Sequence, residues 1–278
     1  MNFIIISVGN EILSGDIVNT NATYMAKKLS QRGHRIIRII VVPDVIEDIA
    51  EEVRNASKKA HYLLVTGGSG VTHDDVTAEG VTKALNKKLV LNEEVAKMVR
   101  EVSSNEEAIR KIASLPEGCE VIENDVGVAP GFVIENVAVM PGVPAEMENT
   151  FEKLIKRFGE KDYYEDTLEV EGHEEKILNK LNLVVEEFKD VQIGSYPKSG
   201  YVVIKFSGRS GKEVEKAKKR NRINWVNLVG VSPPSLPGEL ANLISLIYKA
   251  YANQVTGRKW FEAPPLSKVL DRVKGFLE

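Results

Sequence analysis

The sequence predicts an α/β fold: a mostly parallel open sheet with helices on both faces, then a small α+β domain of β-α-β-β-α order, then a helical tail. Three observations predict it. Short apolar runs such as Phe3-Ile4-Ile5-Ile6-Ser7-Val8 and His61-Tyr62-Leu63-Leu64-Val65 are continuous rather than alternating, as strands covered on both faces are. Between the runs stand amphipathic stretches of helical period, and this alternation implies βαβ units with right-handed parallel crossovers. After the polar break Gly159-Glu160-Lys161-Asp162 the order changes, which divides the chain into 1–158, 163–220 and 221–278.

The first run ends at Gly9-Asn10-Glu11-Ile12-Leu13-Ser14-Gly15, a loop with two glycines and a carboxylate. Asn21 caps a helix whose apolar positions Met25, Ala26 and Leu29 share one face, and Gly33 closes it in the left-handed region. Residues 35–42 form the second strand. Asp44 with Glu47 makes an acidic capping box for a helix that turns Val45, Ile49, Val53 and Ala56 inward. The third strand, 61–65, delivers a glycine loop. Thr77 and Asn92 cap the next two helices, the second packing Val95, Met98, Val99 and Val102 at helical spacing. Strands follow at 120–122 and 131–140, the latter folded into a hairpin at Glu135-Asn136. Pro144 suits the first turn of a helix running to Phe158. Beyond the break come a strand (167–170), a helix (174–188), two strands (191–196 and 201–206) joined at Pro197-Lys198-Ser199-Gly200, and a helix from Gly211. Ser232-Pro233-Pro234-Ser235-Leu236-Pro237-Gly238 interrupts the chain. The helix after it carries Leu240, Leu243, Ile244, Ile247 and Tyr251 on a wide apolar face, and a last one carries Val269, Val273 and Phe276.

With 37 basic and 40 acidic residues the net charge is −3, which argues against recruitment to nucleic acid by bulk charge. A single cysteine, Cys119, excludes an internal disulfide framework and a cysteine-based zinc site; it reads as a small core residue. No secretory signal precedes the first strand, and no apolar run reaches the roughly 18 residues of a membrane helix. A cytoplasmic location is expected, with neither a membrane nor a nucleic-acid partner.

The stretch Val65-Thr66-Gly67-Gly68-Ser69-Gly70-Val71-Thr72-His73-Asp74-Asp75-Val76-Thr77 links a strand to a helix. Glycines let the backbone approach a ligand closely, while free N–H groups and the positive end of the helix dipole favour phosphate. Asp74 and Asp75 oppose that field, and make chemical sense beside phosphate if a divalent cation bridges them to its oxygens. The competing reading is a plain glycine turn capped by Asp and Thr side chains. Met140-Pro141-Gly142-Val143-Pro144 is a third loop at a strand's C-terminal end, where open α/β sheets bind ligands. Glu11 faces the same end of the sheet. His73 is the one histidine in the glycine loop; a role as general base competes with plain exposure.

Taken together, Gly9 to Gly15 with Asn19-Thr20-Asn21, the stretch Thr66 to Thr77, and Pro141-Gly142-Val143-Pro144-Ala145-Glu146-Met147 resemble the motifs of the molybdopterin-binding (MoaB/Mog) domain, most closely its CinA-like branch. The first 158 residues are also similar to the amino-terminal domain of some eukaryotic FAD synthases. Residues 163–220, with Val191-Gln192-Ile193-Gly194-Ser195-Tyr196-Pro197, resemble the small domain that follows in the CinA-like branch. The chain departs from the pattern at Asn10, where the family usually has Asp, and at Ser69 and Val71, where the branch commonly has Leu and Pro.

The resemblance implies a phosphate- or pterin-binding site of Gly9, Asn21, Thr66, Gly67, Gly68, Ser69, Gly70, Thr72 and Thr77, walled by Pro141, Gly142 and Pro144. Asp75 would carry a divalent ion (magnesium, manganese or cobalt) assisted by Asp74, with Glu11 beside them as a catalytic candidate. Three functions follow from it: metal-dependent cleavage of a nucleotide pyrophosphate such as ADP-ribose or FAD, adenylyl transfer onto molybdopterin, or binding of a pterin or nucleotide without turnover. Homo-oligomers, dimers or trimers, are expected from the family.

Overall fold

The computed structural model of the chain describes residues 1–223 and 238–277, in two compact units, Met1–Lys218 and Lys219–Glu278. The Pro-rich interruption expected at 232–238 lies, apart from Gly238, outside the described residues, as do the side chains of Leu240 and Phe276.

The first unit is built on a six-stranded sheet. Its strands are β1 (Asn2–Val8), β2 (Arg35–Val42), β3 (Tyr62–Thr66), β6 (Glu120–Ile122), β7 (Gly131–Ile134) and β8 (Val137–Met140), in the order β2-β1-β3-β8-β7-β6. β2, β1, β3 and β8 run parallel; β7 and β6 are antiparallel additions, joined to β8 by a hairpin with Glu135 at φ 54. Because successive side chains of a strand point to opposite faces, the continuous apolar run of β1 serves two cores at once. Ile4, Ile6 and Val8, with Leu63, Val65, Val137 and Val139, pack against α3 (Ile46–Ser57), α4 (Thr77–Ala84), α5 (Glu93–Arg100) and α6 (Glu106–Ala113). Phe3 and Ile5, with Leu64, Ala138 and Met140, pack against α2 (Thr20–Gln31) and α7 (Pro144–Leu154) through Met25, Leu29, Met147 and Phe151.

Several local expectations change. Residues 10–13 are a short helix, α1 (Asn10–Leu13), not a loop. Asn19, not Asn21, caps α2 by accepting from the Ala22 N–H. Val45 caps α3 without a side-chain bond and is exposed, because Asp44 is engaged elsewhere. α5 keeps its Asn92 cap but ends at Arg100, so Val102 falls past the helix and Met98 faces solvent. α6 and the two short strands β4 (Leu89–Leu91) and β5 (Ser114–Pro116), which pair with each other, had no sequence counterpart.

Within the same unit, β9 (Tyr164–Glu171), β10 (Val191–Pro197) and β11 (Tyr201–Gly208) form an antiparallel sheet in the order β10-β11-β9, with α8 (Leu178–Glu187) and residues 211–218 of the helix α9 (Gly211–Ile223). Val170, Val202, Ile204, Phe206, Val184 and Val214 make its core. In the second unit, α10 (Gly238–Thr256) and α11 (Leu266–Leu277) bury Leu243, Ala250 and Val269, while Tyr248, Tyr251 and Trp260 are exposed. Among the described residues no helix is long and apolar enough to cross a membrane.

Candidate functional site

The parallel register sets the site. Ser7 stands beside Thr66 and Thr66 beside Met140, so the chain leaves β1, β3 and β8 at one level and three loops emerge side by side. Together they enclose a cleft of about 460 Å³, lined from the first loop by Glu11, Ile17, Val18 and residues 19–21, from the second by residues 66–70 and Asp75, and from the third by residues 141–144 and Glu146.

Polar side chains tie the loops to one another. Thr66 Oγ1 donates to the Pro141 carbonyl at 2.8 Å. Asn21 Nδ2 donates to Thr66 Oγ1 at 3.1 Å and to the Gly142 carbonyl at 2.8 Å, so one side chain spans all three loops. Its Oδ1 is buried with no hydrogen-bond partner among the described residues, an acceptor available to a ligand N–H or O–H. Asp44 Oδ2 accepts from the Asn10 N–H at 2.7 Å and fixes the start of α1. Ser7 and Asn19 exchange hydrogen bonds at 3.0 and 3.1 Å, which sets the entry to α2.

The glycine loop owes its shape to three close approaches. Gly67 has φ +101 and lies so near the Val8 carbonyl oxygen that no Cβ fits. Thr77 Oγ1, fully buried, donates to the Gly67 carbonyl at 2.7 Å, and the Thr77 N–H donates to Gly68 O at 3.0 Å. Gly70 makes room for a carboxylate: a Cβ there would sit 2.7 Å from Asp75 Oδ2. That oxygen accepts from the Thr72 N–H at 2.8 Å, and Thr72 Oγ1, which has a single proton to give, lies 2.5 Å from it and 2.6 Å from Asp74 Oδ1, so the two carboxylates share that donor. Asp75 Oδ1 makes no hydrogen bond, and the N–H groups of Gly68, Ser69 and Gly70 have no partner among the described residues.

Electrostatically the cleft is unusual. The N-termini of α2 and α7 both open onto it, and the glycine loop leads into α4. Helix N-termini and free N–H groups favour anions. Yet among the described residues no Lys, Arg or His lines it, and its charged lining is the three carboxylates of Glu11, Asp75 and Glu146. Glu146 is already engaged by Asn124 Nδ2 at 2.9 Å. Among the described residues no group of three or more His, Cys, Asp or Glu side chains is placed to hold a metal alone. At the rim, Ile17, Val18 and Val143 are 55%, 78% and 56% exposed, an apolar collar beside the polar floor.

Comparison with known proteins identifies the family. Residues 4–161 match the family described as "Probable molybdopterin binding domain", and residues 162–222 match the middle domain of FAD synthase. The chain is a CinA-like member of the molybdopterin-binding domain family. It is 63% identical to a protein of Archaeoglobus fulgidus over 217 residues, 78% of this chain and 95% of that one. It is 36% identical to a CinA-like protein of Thermosipho melanesiensis over 75% of this chain and 55% of that protein, so it spans about half of that relative's length. The crystal structure of a CinA protein of unknown function from Thermoplasma acidophilum covers 56% of this chain and 96% of its own, with 35% identity and a TM-score of 0.53.

Within the molybdopterin-binding domain, the residues singled out in the sequence separate into two groups. Glu11, Asn21, Thr66, Gly67, Gly68, Ser69, Gly70, Asp75, Pro141, Gly142 and Pro144 line the cleft. Gly9, Thr72, Asp74 and Thr77 do not: Thr77 and Thr72 brace the glycine loop from behind, and Gly9 gives way to the Glu11 carboxylate, 2.5 Å from where its Cβ would be. Asp74 is exposed and shares the Thr72 Oγ1 proton with Asp75, and this contact holds its carboxyl below the usual range. The His73 side chain is 97% exposed and outside the cleft. Asn10 is likewise exposed and outside the lining. Sequence reasoning missed Asp44 and Asn19 as loop-positioning residues. The available signal was their place: each sits just beyond or just before a segment whose end the sheet aligns with the glycine loop.

Proposed function

We propose that the molybdopterin-binding domain is a divalent-metal-dependent nucleotide pyrophosphatase acting on substrates of the ADP-ribose or FAD class. One observation carries the reading: among the described residues, a cleft with free backbone donors and helix N-termini for phosphate has carboxylates, and no cationic side chain, as its charged lining. A polyphosphate brought against Asp75 and Glu11 would be repelled unless a cation stood between them. The donor set fits magnesium or manganese, which take one or two carboxylates and complete their shell with waters and substrate phosphate oxygens. Asp75 Oδ1 and Glu11 would hold the ion; when bound it polarises a phosphoryl oxygen and acidifies a coordinated water.

The chain's own groups supply the rest. The N–H groups of Gly68, Ser69 and Gly70 hold the phosphate oxygens and stabilise charge as water adds to one phosphorus and the bridging oxygen leaves with the other. Asn21 Oδ1 accepts from a ligand donor. Ile17, Val18 and Val143 give a flat ring an apolar surface. A second reading uses the same groups with a different acceptor: adenylyl transfer onto molybdopterin, supported by the family to which 4–161 belong. The test is AMP release from ADP-ribose and FAD with magnesium, manganese or cobalt. Release abolished by a chelator is expected. Absence of release with all three metals sinks the hydrolytic reading, and transfer from ATP to added molybdopterin would establish the second.

A further inference from the structure

A second cleft of the first unit, about 1120 Å³, lies between β2 and the small antiparallel domain. One wall is β2 itself, the edge strand of the six-stranded sheet, whose outer backbone groups have no strand partner among the described residues. The other wall comes from residues 189–192, at the start of β10, and from the β11–α9 connection. Four cations line it, Arg35 and Arg38 from β2, Lys189 before β10 and Arg209 before α9, and all four are exposed. None pairs with a carboxylate among the described residues, although many other lysines and arginines of the chain do. Of the two carboxylates in the lining, Glu213 is paired with Lys216 at 2.8 Å, which leaves Asp190. In a chain of net charge −3 this is a concentrated positive site.

Two further features face the same space. α9 is 13 residues long and begins in the lining, with Ser210 Oγ accepting from the Glu213 N–H at 3.3 Å, so its dipole adds to the field. Tyr163 and the β2 isoleucines, of which Ile39 is half-exposed, offer an aromatic and apolar wall. Buried His34, also in the lining, is held below the usual histidine range chiefly by burial, with the N-terminal amine, Lys161 and Arg32 adding repulsion.

We propose that this cleft is a second ligand site, for a nucleoside polyphosphate: phosphates on Arg35, Arg38, Lys189 and Arg209, the ring against Tyr163 and the isoleucine wall. Arginine forks and a helix N-terminus suit phosphate oxygens. A bounded cleft with two walls favours a small molecule over a nucleic-acid strand. The basic run on α9 does not extend the site either, since Lys216 and Lys218 pair with Glu213 and Asp166. The site differs from the pyrophosphatase cleft in needing no metal, because its countercharge is built from side chains.

That difference makes the two separable. ATP is titrated calorimetrically into the full chain in EDTA, with inorganic pyrophosphate and adenosine as competitors. Metal-free ATP binding is expected, tighter than that of pyrophosphate by the ring contact, competed by pyrophosphate and only weakly by adenosine, unchanged in Asp75→Asn, and weakened by salt. The double variant Arg38→Glu/Arg209→Glu, with Lys189→Glu as a second variant should the first lose its native circular dichroism, should bind at least about tenfold more weakly, as expected when charge-assisted phosphate contacts are reversed. No metal-free binding, binding insensitive to charge reversal, or binding lost in Asp75→Asn would overturn the proposal. So would a single-stranded oligonucleotide held in the cleft that ATP fails to displace.

Discussion

Gly70→Ala isolates the placement of Asp75. Gly70 does not occupy the left-handed region, so its backbone accepts alanine, and the obstacle is the Asp75 carboxylate, with Oδ2 2.7 Å from the new Cβ. The carboxylate must swing away and give up the bond from the Thr72 N–H and its share of the Thr72 Oγ1 proton, which then goes to Asp74. Bonds to a charged group are worth about 1.5–3 kcal/mol each when buried, and because Asp75 is half-buried water recovers much of this, leaving a loss of about 1–2 kcal/mol for the pair. Against it stands a gain of about 0.4–1 kcal/mol from a stiffer unfolded chain. The net expectation is a loss of about 1 kcal/mol in urea unfolding, together with a fall in metal-dependent turnover. In an Asp75→Ala background the same substitution meets no carboxylate and should turn stabilising, which a double-mutant cycle reads directly. A Gly70→Ala protein that is more stable than the parent, with turnover intact, would refute this placement of Asp75.

The remaining expectations are briefer. Gly67→Ala, at φ +101 against the Val8 carbonyl oxygen, should cost about 3 kcal/mol or more, seen as loss of the cooperative unfolding transition; a normal transition would contradict the close approach. Val18→Asp should leave stability within about 0.5 kcal/mol, since the side chain is 78% exposed, while raising KM for ADP-ribose roughly tenfold by removing a ring contact; an unchanged KM would remove the collar from the site. For His34 the folded pKa is depressed, so the unfolded chain takes the proton first. Its contribution is complete above the ordinary value near 6.5 and is lost as pH falls, so stability should decline between pH 7 and 5 and His34→Gln should flatten that slope. An identical slope in the variant would assign the decline to other groups.

Much of this was legible in the sequence because some signals are local. Continuous apolar runs gave β1 and β3, and Asn92 and Pro144 start their helices because a side-chain cap and a fixed φ act within one turn. Where two residues carry the same local preference, tertiary partners decide. Asn19 and Asn21 are equal candidates for a cap, and Asn21 is diverted because Thr66 and Gly142 come within reach only after the sheet forms. Asp44 was lost to the Asn10 N–H for the same reason. β4 and β5 are three residues each, too short for any periodicity, and exposure of Met98 reflects which face of α5 meets α6. In the site, spacing identified the loops but could not separate Asp75, turned inward by Gly70, from its neighbour Asp74 at the surface.

The central claim is that phosphate enters the carboxylate-lined cleft only with a cation, and that Asp75 holds it. The most direct test is calorimetric binding of ADP-ribose to the full chain with manganese and in EDTA, for the parent and Asp75→Asn. The account predicts binding at this cleft that appears with manganese and is lost in Asp75→Asn. Equal affinity in EDTA and manganese, unaffected by Asp75→Asn and by charge reversal at Arg38 and Arg209, would contradict it.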